Sequence, residues 1–332
     1  MTNTEANKPV EDVARRALAS WGLSHADLSL LKFRENAVFK VSVNGRPDSV
    51  MRVHRPNYHD EQALLSEIAW MRALNEAGIR TPQVRPALDG SLVTEVSTVD
   101  SSYLCDLVDW IDGVQLDAID QQTETTDTEL VSAYRVLGKL AAQVHNQSAG
   151  WTPPENFRRH AWNVDGLIGN DPVMGKFWEL EALTSEQLKI LEAARHRLRG
   201  DLESLGEDPQ YFSLIHADML SENLLVQGET LSLIDFDDCG YGWHLFEFAT
   251  PLFFYLGESV FDSLYAAFVA GYREQRAISE EHLKHLDTFL LARGFTYLGW
   301  LHTRKETDTA IALTSEIVEA VVALAEDYIH KN

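Results

Sequence analysis

Residues 214–238 read LIHADMLSENLLVQGETLSLIDFDD. Two short apolar runs, NLLV and LSLI, flank the turn sequence QGET, and this pattern predicts a β-hairpin. Several acidic side chains and one Asn lie at the two ends of this hairpin, where the turn does not require them. Their presence needs a chemical explanation.

Three of these polar groups lie where the hairpin strands begin and end. Asp218 and Asn223 are on the loop that follows the strand SLIH, and Asp235 ends the strand LSLI. An antiparallel hairpin is expected to bring all three to one end. Phosphoryl transfer from a nucleotide uses a carboxylate that orients the acceptor hydroxyl and oxygen ligands that hold Mg²⁺ on the phosphates. The spacing is that of a kinase catalytic loop and metal-binding segment, so the stretch indicates a phosphotransferase.

The composition indicates a globular protein in a reducing compartment. Of the 332 residues, 45% are hydrophobic, which is enough to bury a sizeable core. The formal net charge of −23 disfavours a nucleic-acid partner, because phosphate neutralisation needs clustered Lys and Arg. Cys105 and Cys239 do not make a disulfide framework, and no apolar run approaches the roughly 20 residues of a membrane span. We expect a cytoplasmic protein that binds neither nucleic acid nor membrane.

The periodicity along the chain predicts an α+β protein. After an N-terminal helical stretch, the strand-like runs LSLLKF, AVFKVSV, DSVMRVH, SLVTEV and SYLCDLVDWI surround the helix DEQALLSEIAWMRALNEAG. A linker is expected at residues 109–113. Beyond it the pattern is mainly helical, with a capping-box sequence at Thr184–Gln187 and three further helical segments after Phe246.

At the hairpin residues the sequence resembles the aminoglycoside phosphotransferase and choline kinase superfamily, the small-molecule branch of the protein-kinase-like fold. Within that superfamily it is most similar to the homoserine kinase type II and stress-response kinase group. The resemblance covers nearly the whole chain and rests on FRENAVFKV, VMRVHRP, LGKLAAQVHNQS, IHADMLSENLLV and LSLIDFDDCGYGWHLFEFA.

The resemblance implies a bilobal protein-kinase-like fold that uses ATP and Mg²⁺. The small antiparallel sheet lobe would comprise residues 1–108, the hinge residues 109–113 and the mainly helical lobe residues 114–332. Asp218 would be the catalytic base, and Asn223 and Asp235 would be the Mg²⁺ ligands. Arg52 and Glu67 would form the pair that positions the nucleotide phosphates, and Asn36 would lie in the loop that covers them. The hinge backbone near Asp109 and Ile111 would hold the adenine.

Two departures from the protein-kinase pattern concern the nucleotide phosphates. Arg52 stands where a phosphate-contacting Lys is expected, and Arg is always charged and can contact two oxygens at once. The chain also has no G-x-G-x-x-G loop, so FRENAVF would have to cover the phosphates with Glu35, Asn36 and their backbone amides.

Several of these residues also have a plain structural interpretation. Glu67 lies in an amphipathic helix, where a Glu is most often on the solvated face. His216 follows an apolar run and is expected to brace the loop, and Glu247 could hold the loop instead of contacting substrate. A zinc site built from His216, Cys239 and His244 has no supporting ligand spacing.

The acceptor is expected to be a small molecule with a hydroxyl group. Only FDDCGYG separates Asp235 from the next helix, which leaves no room for a phosphorylation-switched activation segment. Asp218, Glu222, Asp237 and Asp238 surround the predicted reaction centre, and their charge favours an acceptor that carries an amine.

More than one class of acceptor fits these residues. An amino alcohol or a hydroxy-amino acid such as homoserine fits the acidic centre, and a carboxylate on the acceptor would need Arg158, Arg159, Arg293 or Arg304. Two other interpretations remain. A non-catalytic nucleotide-binding sensor or scaffold would explain the Arg52 replacement, and an aminoglycoside-modifying phosphotransferase would use the same chemistry with a different pocket.

Overall fold

The computed structural model describes residues 8–33, 36–116, 126–228 and 230–331. The chain divides into two compact units. The first contains residues 1–113, 152–158 and 232–234, and the second contains residues 114–151, 159–231 and 235–332. The predicted α+β class, with an antiparallel sheet and a mainly helical portion, is confirmed.

The first unit is built on a five-stranded antiparallel sheet. Its strands follow the order β1-β2-β3-β5-β4, and their bounds are β1 Asp27–Phe33, β2 Ala37–Val43, β3 Arg46–Val53, β4 Thr94–Ser97 and β5 Ser102–Asp109. Buried and half-buried residues alternate along most of β2, as expected when one face of a sheet covers a core.

Two helices of the first unit complete this sheet. Helix α1 (Lys8–Ala17) places its apolar side in the same core as β2, β3 and β5. Helix α2 (Glu61–Glu76) begins at Asp60, whose side chain accepts a hydrogen bond from the Ala63 N–H. It ends before Gly78, whose φ of 84° only glycine adopts without strain.

Two short segments of the chain beyond residue 113 belong to the first unit. The Arg158 N–H donates to the Ser66 hydroxyl at 2.8 Å, and the Leu233 N–H donates to the Arg80 carbonyl at 2.9 Å. The sequence predicted one continuous second lobe, residues 114–332. These two bonds attach residues 152–158 and 232–234 to the first unit instead.

The second unit is mainly helical. Its helices are α3 Asp127–Gly150, α4 Val164–Ile168, α5 Ser185–Leu205, α6 His244–Leu252, α7 Phe261–Arg273, α8 Glu280–Leu283, α9 Leu286–Thr303 and α10 Asp308–His330. The capping box at Thr184–Gln187 is confirmed at the start of α5. Four α-helices of the described chain begin after Phe246, whereas three helical segments were predicted, because α8 is a single turn that Ser279 caps just before α9.

Helix α9 is the central helix of this unit. It packs against α6 and α10 and is buried on nearly all sides, so no polar face marks its orientation in the sequence. Helices α3 and α7 approach each other closely, since a Cβ on Gly138 would lie 2.0 Å from the Phe268 carbonyl oxygen.

The remaining strands are short and lie near the predicted hairpin. They are β6 Val114–Gln115, β7 Ala161–Trp162, β8 Phe212–Ile215, β9 Leu224–Gln227, β10 Thr230–Leu233 and β11 Gly240–Trp243. Strand β11 lies between β7, which is parallel to it, and β8, which is antiparallel. Strand β6 pairs antiparallel with β9. In the described part of the chain, no helix has the length and apolar character that crossing a bilayer demands.

Candidate active site

The Asp218 carboxylate lies in the second unit between two donors. Asn223 Nδ2 donates to Asp218 Oδ2 at 2.7 Å and to the Asp218 carbonyl oxygen at 3.0 Å. Arg293 Nη2 donates to Asp218 Oδ1 at 2.9 Å, and Arg293 Nη1 donates to the Ala217 carbonyl at 2.9 Å. The Arg293 side chain is 2% exposed, whereas the Asp218 side chain is 20% exposed. The carboxylate is therefore fixed in direction and still reachable from solvent.

Arg293 is held in place by aromatic rings. Its Cζ lies 4.5 Å from the centroid of the Tyr297 ring and 5.4 Å from that of Phe246. Burial alone would lower the pKa of Arg293, but the nearby Tyr297 and Asp218 raise it, so the guanidinium stays charged. Arg293 is one of the four arginines considered for an acceptor carboxylate, and in the structure it contacts Asp218.

The backbone before Asp218 is anchored by a buried carboxylate. Ala217 has a φ of 64°, in the left-handed region that side chains disfavour. Glu247 in α6 accepts the N–H of His216 at 2.8 Å and the N–H of Ala217 at 2.9 Å. The Asp218 N–H in turn donates to His216 Nδ1 at 3.3 Å. The structural interpretations of His216 and Glu247 are confirmed.

Glu247 lies in a buried group of ionisable side chains. Burial raises the pKa of Glu247 to about 7, although the His216 side chain, the two backbone N–H groups and Arg293 favour the charged form. His145 Nε2 lies 3.7 Å from Glu247 Oε2, and burial lowers the pKa of His145 well below its usual value. The ring of His145 stacks on that of His244 with the centroids 4.0 Å apart.

Asp235 is the second residue after the end of β10. It is half-buried and has a φ of 64°, so it holds a left-handed backbone conformation. The next residue, Phe236, packs edge-on against the His216 ring with the centroids 4.6 Å apart. The chain therefore brings the segment after Asp235 next to the loop that carries Asp218.

Arg52 is the centre of a second cluster, in the first unit. Its Nη1 donates to Glu67 Oε1 at 2.7 Å, while Nε and Nη2 donate to the two carboxylate oxygens of Asp106 at 2.8 and 2.7 Å. His54 Nε2 lies 2.8 Å from Asp106 Oδ2. Glu67 is fully buried, so the interpretation that it lies on a solvated face is wrong.

Sequence reasoning missed Asp106. Burial raises the pKa of its carboxyl, but the charges of Arg52 and His54 outweigh burial and hold that pKa well below the usual range. The available signal was a lone Asp in the apolar run SYLCDLV, since an acid inside a buried strand needs a charged partner. β5 pairs with β3 so that Asp106 lies opposite Arg52.

The other predicted nucleotide-binding residues lie in the first unit as well. Asn36 is 8% exposed, and its Oδ1 accepts the Arg55 N–H at 3.2 Å. Glu35 lies outside the described residues. The Asp109 N–H donates to the Gln83 carbonyl at 2.8 Å, so this hinge amide is engaged within the unit. Ile111 lies two residues further on, outside any strand or helix.

The other arginines proposed for an acceptor carboxylate have different partners. Arg159 is 9% exposed and donates to the carbonyls of Phe236, Asp237 and Cys239. Arg158 pairs with Asp60 on the surface of the first unit. Arg304 is 4% exposed, and its Nη1 donates to the Thr303 hydroxyl at 2.7 Å.

Comparison with solved structures identifies close neighbours of this fold. The structure of a microcompartment-associated aminopropanol kinase is 29% identical, covers 96% of this chain and 97% of its own, and superposes with a TM-score of 0.85. The structure of amicoumacin kinase hAmiN, solved with AMP-PNP, Ca²⁺ and Ami, is 18% identical, covers 97% and 96% of the two chains, and gives a TM-score of 0.75. The protein-kinase-like fold that the resemblance implied is confirmed.

Sequence comparison places the chain in a family. Amicoumacin kinase of Bacillus subtilis (strain 168) is 23% identical over 310 residues, which are 90% of this chain and 87% of that protein. The model of the phosphotransferase enzyme family APH matches residues 30–282. The chain therefore belongs to the APH phosphotransferase enzyme family, and it is a small-molecule phosphotransferase with an alcohol group as acceptor.

Proposed function

We propose that this protein transfers the γ-phosphate of ATP, with Mg²⁺, to the hydroxyl of a small amino alcohol. The observation that carries the proposal is the Asp218 carboxylate, which Asn223 and Arg293 hold in one orientation while its side chain stays 20% exposed. A carboxylate in this state can accept a hydrogen bond from an acceptor hydroxyl and take its proton during transfer.

The chemistry at Asp218 concerns alignment more than proton affinity. Phosphoryl transfer needs the attacking oxygen in line with the leaving group, and a fixed carboxylate directs a lone pair of the hydroxyl toward phosphorus. The bonds to Asn223 Nδ2 and Arg293 Nη2 restrict the rotation of the carboxylate. Asp218 would therefore act mainly in the transition state and contribute little to nucleotide binding.

The residues for the metal fit its chemistry. Asn223 uses its Nδ2 for two bonds to Asp218, and that assignment leaves the amide oxygen for a hard cation. Asp235 supplies a carboxylate from the neighbouring segment. Bound Mg²⁺ would neutralise charge on the nucleotide phosphates, and we propose Asn223 and Asp235 as the side chains that hold it.

The first unit carries the proposed phosphate contact. Each terminal nitrogen of Arg52 gives one N–H to Glu67 or Asp106, which leaves the second N–H of each for a phosphate oxygen. Glu67 would position Arg52 without contacting the nucleotide. Asn36 would support the loop that precedes β2, and the hinge backbone around Asp109 and Ile111 would hold the adenine through groups other than the Asp109 N–H.

An amino alcohol suits the acidic centre better than a hydroxy-amino acid. The four arginines considered for an acceptor carboxylate all have other partners: Arg293 contacts the proposed base, Arg159 the backbone, Arg158 Asp60 and Arg304 Thr303. The carboxylates of Asp218 and its acidic neighbours favour an ammonium group on the acceptor. The likeness to the aminopropanol kinase structure supports the same class.

An acceptor panel tests this proposal. Purified protein is incubated with ATP and Mg²⁺, and acceptor-dependent ADP release is measured for 1-amino-2-propanol, ethanolamine and homoserine. 1,2-Propanediol is the matched control, because it keeps the hydroxyl and lacks the amine. We expect the highest kcat/KM with an amino alcohol. Faster turnover of homoserine or of the diol would contradict the proposed acceptor class.

The second candidate is the phosphorylation of an amine-bearing antibiotic. The match to amicoumacin kinase over 90% of this chain supports it. Expression of the protein in a sensitive bacterium, with growth measured on kanamycin-type drugs and on amicoumacin, tests this candidate. Membership in an enzyme family disfavours a sensor without turnover.

We also propose a cytoplasmic location, which agrees with the two free, buried cysteines.

A further inference from the structure

Four consecutive carbonyl groups after Asp235 are held by side chains from one short stretch of the second unit. Arg159 Nε donates to the Cys239 carbonyl at 2.7 Å, and Arg159 Nη2 donates to the carbonyls of Phe236, at 3.4 Å, and Asp237. Two further donors meet at the Asp238 carbonyl, the ring nitrogens His160 Nε2 at 3.1 Å and Trp162 Nε1 at 2.8 Å. We call residues 159–162 the carbonyl clamp.

The clamp is buried at both ends. Arg159 is 9% exposed, and Trp162, Phe236 and Cys239 are fully buried. Strand β7 pairs with β11 directly after the clamped segment, and the Tyr241 N–H donates to the His160 carbonyl at 3.0 Å. A Cβ on Gly240 would lie 2.6 Å from that same carbonyl oxygen, so a glycine is required for this close approach.

Asp235 immediately precedes the clamped carbonyls. Its left-handed backbone, with φ of 64°, costs about 1–2 kcal/mol for a residue with a side chain, so the surrounding structure must impose it. Between Asp235 and β11, Phe236 to Cys239 form neither helix nor strand, so no regular ladder fixes their backbone. The side-chain donors of the clamp hold these backbone carbonyls instead of a β-ladder.

We infer that Arg159 is a positioning residue that holds Asp235 in its metal-binding conformation through the backbone of residues 236–239. The inference rests on the proposed role of Asp235 as a metal ligand. Arg159 suits the task because its planar guanidinium donates along several directions at once, which a Lys ammonium on a flexible stem does not reproduce. Loss of the clamp would let the backbone of residues 236–239 relax. Metal binding should then weaken more than nucleotide binding.

The test measures metal binding directly. Mn²⁺ binding to full-length protein with saturating AMP-PNP is followed by electron paramagnetic resonance, and AMP-PNP binding is measured separately in EDTA. We expect Arg159→Met to raise the Mn²⁺ dissociation constant by about 10-fold to 100-fold, the range seen when supporting partners of metal ligands are removed. AMP-PNP affinity in EDTA should change less than about threefold, which is under 0.7 kcal/mol. Amide hydrogen exchange should accelerate in the peptide that contains residues 236–239.

Arg195 provides a matched control. It lies in the same unit and also donates to two backbone carbonyls, those of Ile168 at 2.9 Å and Gly169 at 2.6 Å. Arg195→Met removes a comparable contact far along the chain from Asp235. It should lower the melting temperature without changing Mn²⁺ affinity. Arg159→Lys should give an intermediate Mn²⁺ dissociation constant, and it decides the question if Arg159→Met does not fold.

Asp235→Asn tests the proposed metal site separately from the role of Arg159. If Asp235→Asn weakens Mn²⁺ binding but folded Arg159 variants bind Mn²⁺ as the parent protein does, the inference about Arg159 is wrong and the proposed function stands. If Asp235→Asn leaves Mn²⁺ binding unchanged, Asp235 is not a metal ligand, and both the proposed metal site and the role of Arg159 are overturned. Equal losses in the Arg159 and Arg195 variants would likewise overturn the inference, because they would show a general effect of stability.

Discussion

Replacement of Asp218 by Asn is the most direct test of the proposed mechanism. The carboxylate accepts one bond from Asn223 Nδ2 at 2.7 Å and one from Arg293 Nη2 at 2.9 Å. An Asn side chain has the same shape but offers one oxygen and one amino group, so one of these two donors would face another donor. Loss of one such bond costs about 1–3 kcal/mol. The variant should still fold, with a melting temperature lowered by a few degrees.

The effect on turnover should be much larger than the effect on stability. Removal of a general base typically lowers the rate by about 10² to 10⁴, which corresponds to roughly 3–5 kcal/mol in the activation free energy. The nucleotide dissociation constant should stay nearly unchanged, because Asp218 is assigned to the acceptor hydroxyl.

The assay combines three measurements on the same Asp218→Asn preparation: AMP-PNP binding by calorimetry, the melting temperature, and acceptor-dependent ADP release. Asp171→Asn is the control, because its side chain is 96% exposed and the chemical change is identical. A fall in kcat of less than about tenfold would refute the assignment of Asp218 as base. A large drop in melting temperature together with lost nucleotide affinity would show that Asp218 is structural.

Three further predictions concern the groups around the two clusters. Arg293→Lys keeps the charge but cannot bond Asp218 Oδ1 and the Ala217 carbonyl in the same geometry. Initial-rate kinetics should therefore show kcat lowered roughly 10- to 100-fold with KM for ATP unchanged, and an unchanged kcat would contradict the positioning role. In Arg52→Lys, the Lys ammonium cannot satisfy the buried carboxylates of both Glu67 and Asp106. Urea unfolding should show the free energy of unfolding lowered by about 3–5 kcal/mol, and a decrease of less than about 1 kcal/mol would contradict the buried ion pairs. The pKa of Glu247 is raised to about 7, so between about pH 4.5 and 7 this group binds more protons in the folded state than in the unfolded state, and its contribution to stability should fall by up to about 3 kcal/mol as the pH rises. Urea unfolding of the parent and of Glu247→Gln across this pH range should show this slope in the difference between the two proteins, and a difference that does not change with pH would refute the assignment.

The fold class and the local part of the site could be predicted from the sequence. Asp218 and Asn223 meet because they lie on one tight loop, where the Leu220 N–H donates to the Asp218 carbonyl at 2.8 Å and the chain has few ways to separate them. The alternation of apolar residues in β2 and the cap at Asp60 are likewise local properties. Such features depend on hydrogen bonds and side-chain periodicity within a few residues, so the order of amino acids is enough to determine them.

The partners of these residues depend on tertiary structure. Arg293 is 75 positions from Asp218 and lies in a helix that is buried on nearly all sides, so no periodicity shows which side chain meets the loop. Arg159 reaches the segment after Asp235 only because β7 pairs with β11, and Asp106 meets Arg52 only through the register of β3 and β5. The sequence by itself therefore determined the type of chemistry and supplied the candidates for the reacting groups. Only the tertiary structure decided which buried charges and donors hold those groups, because these contacts arise from the packing of segments that are distant along the chain.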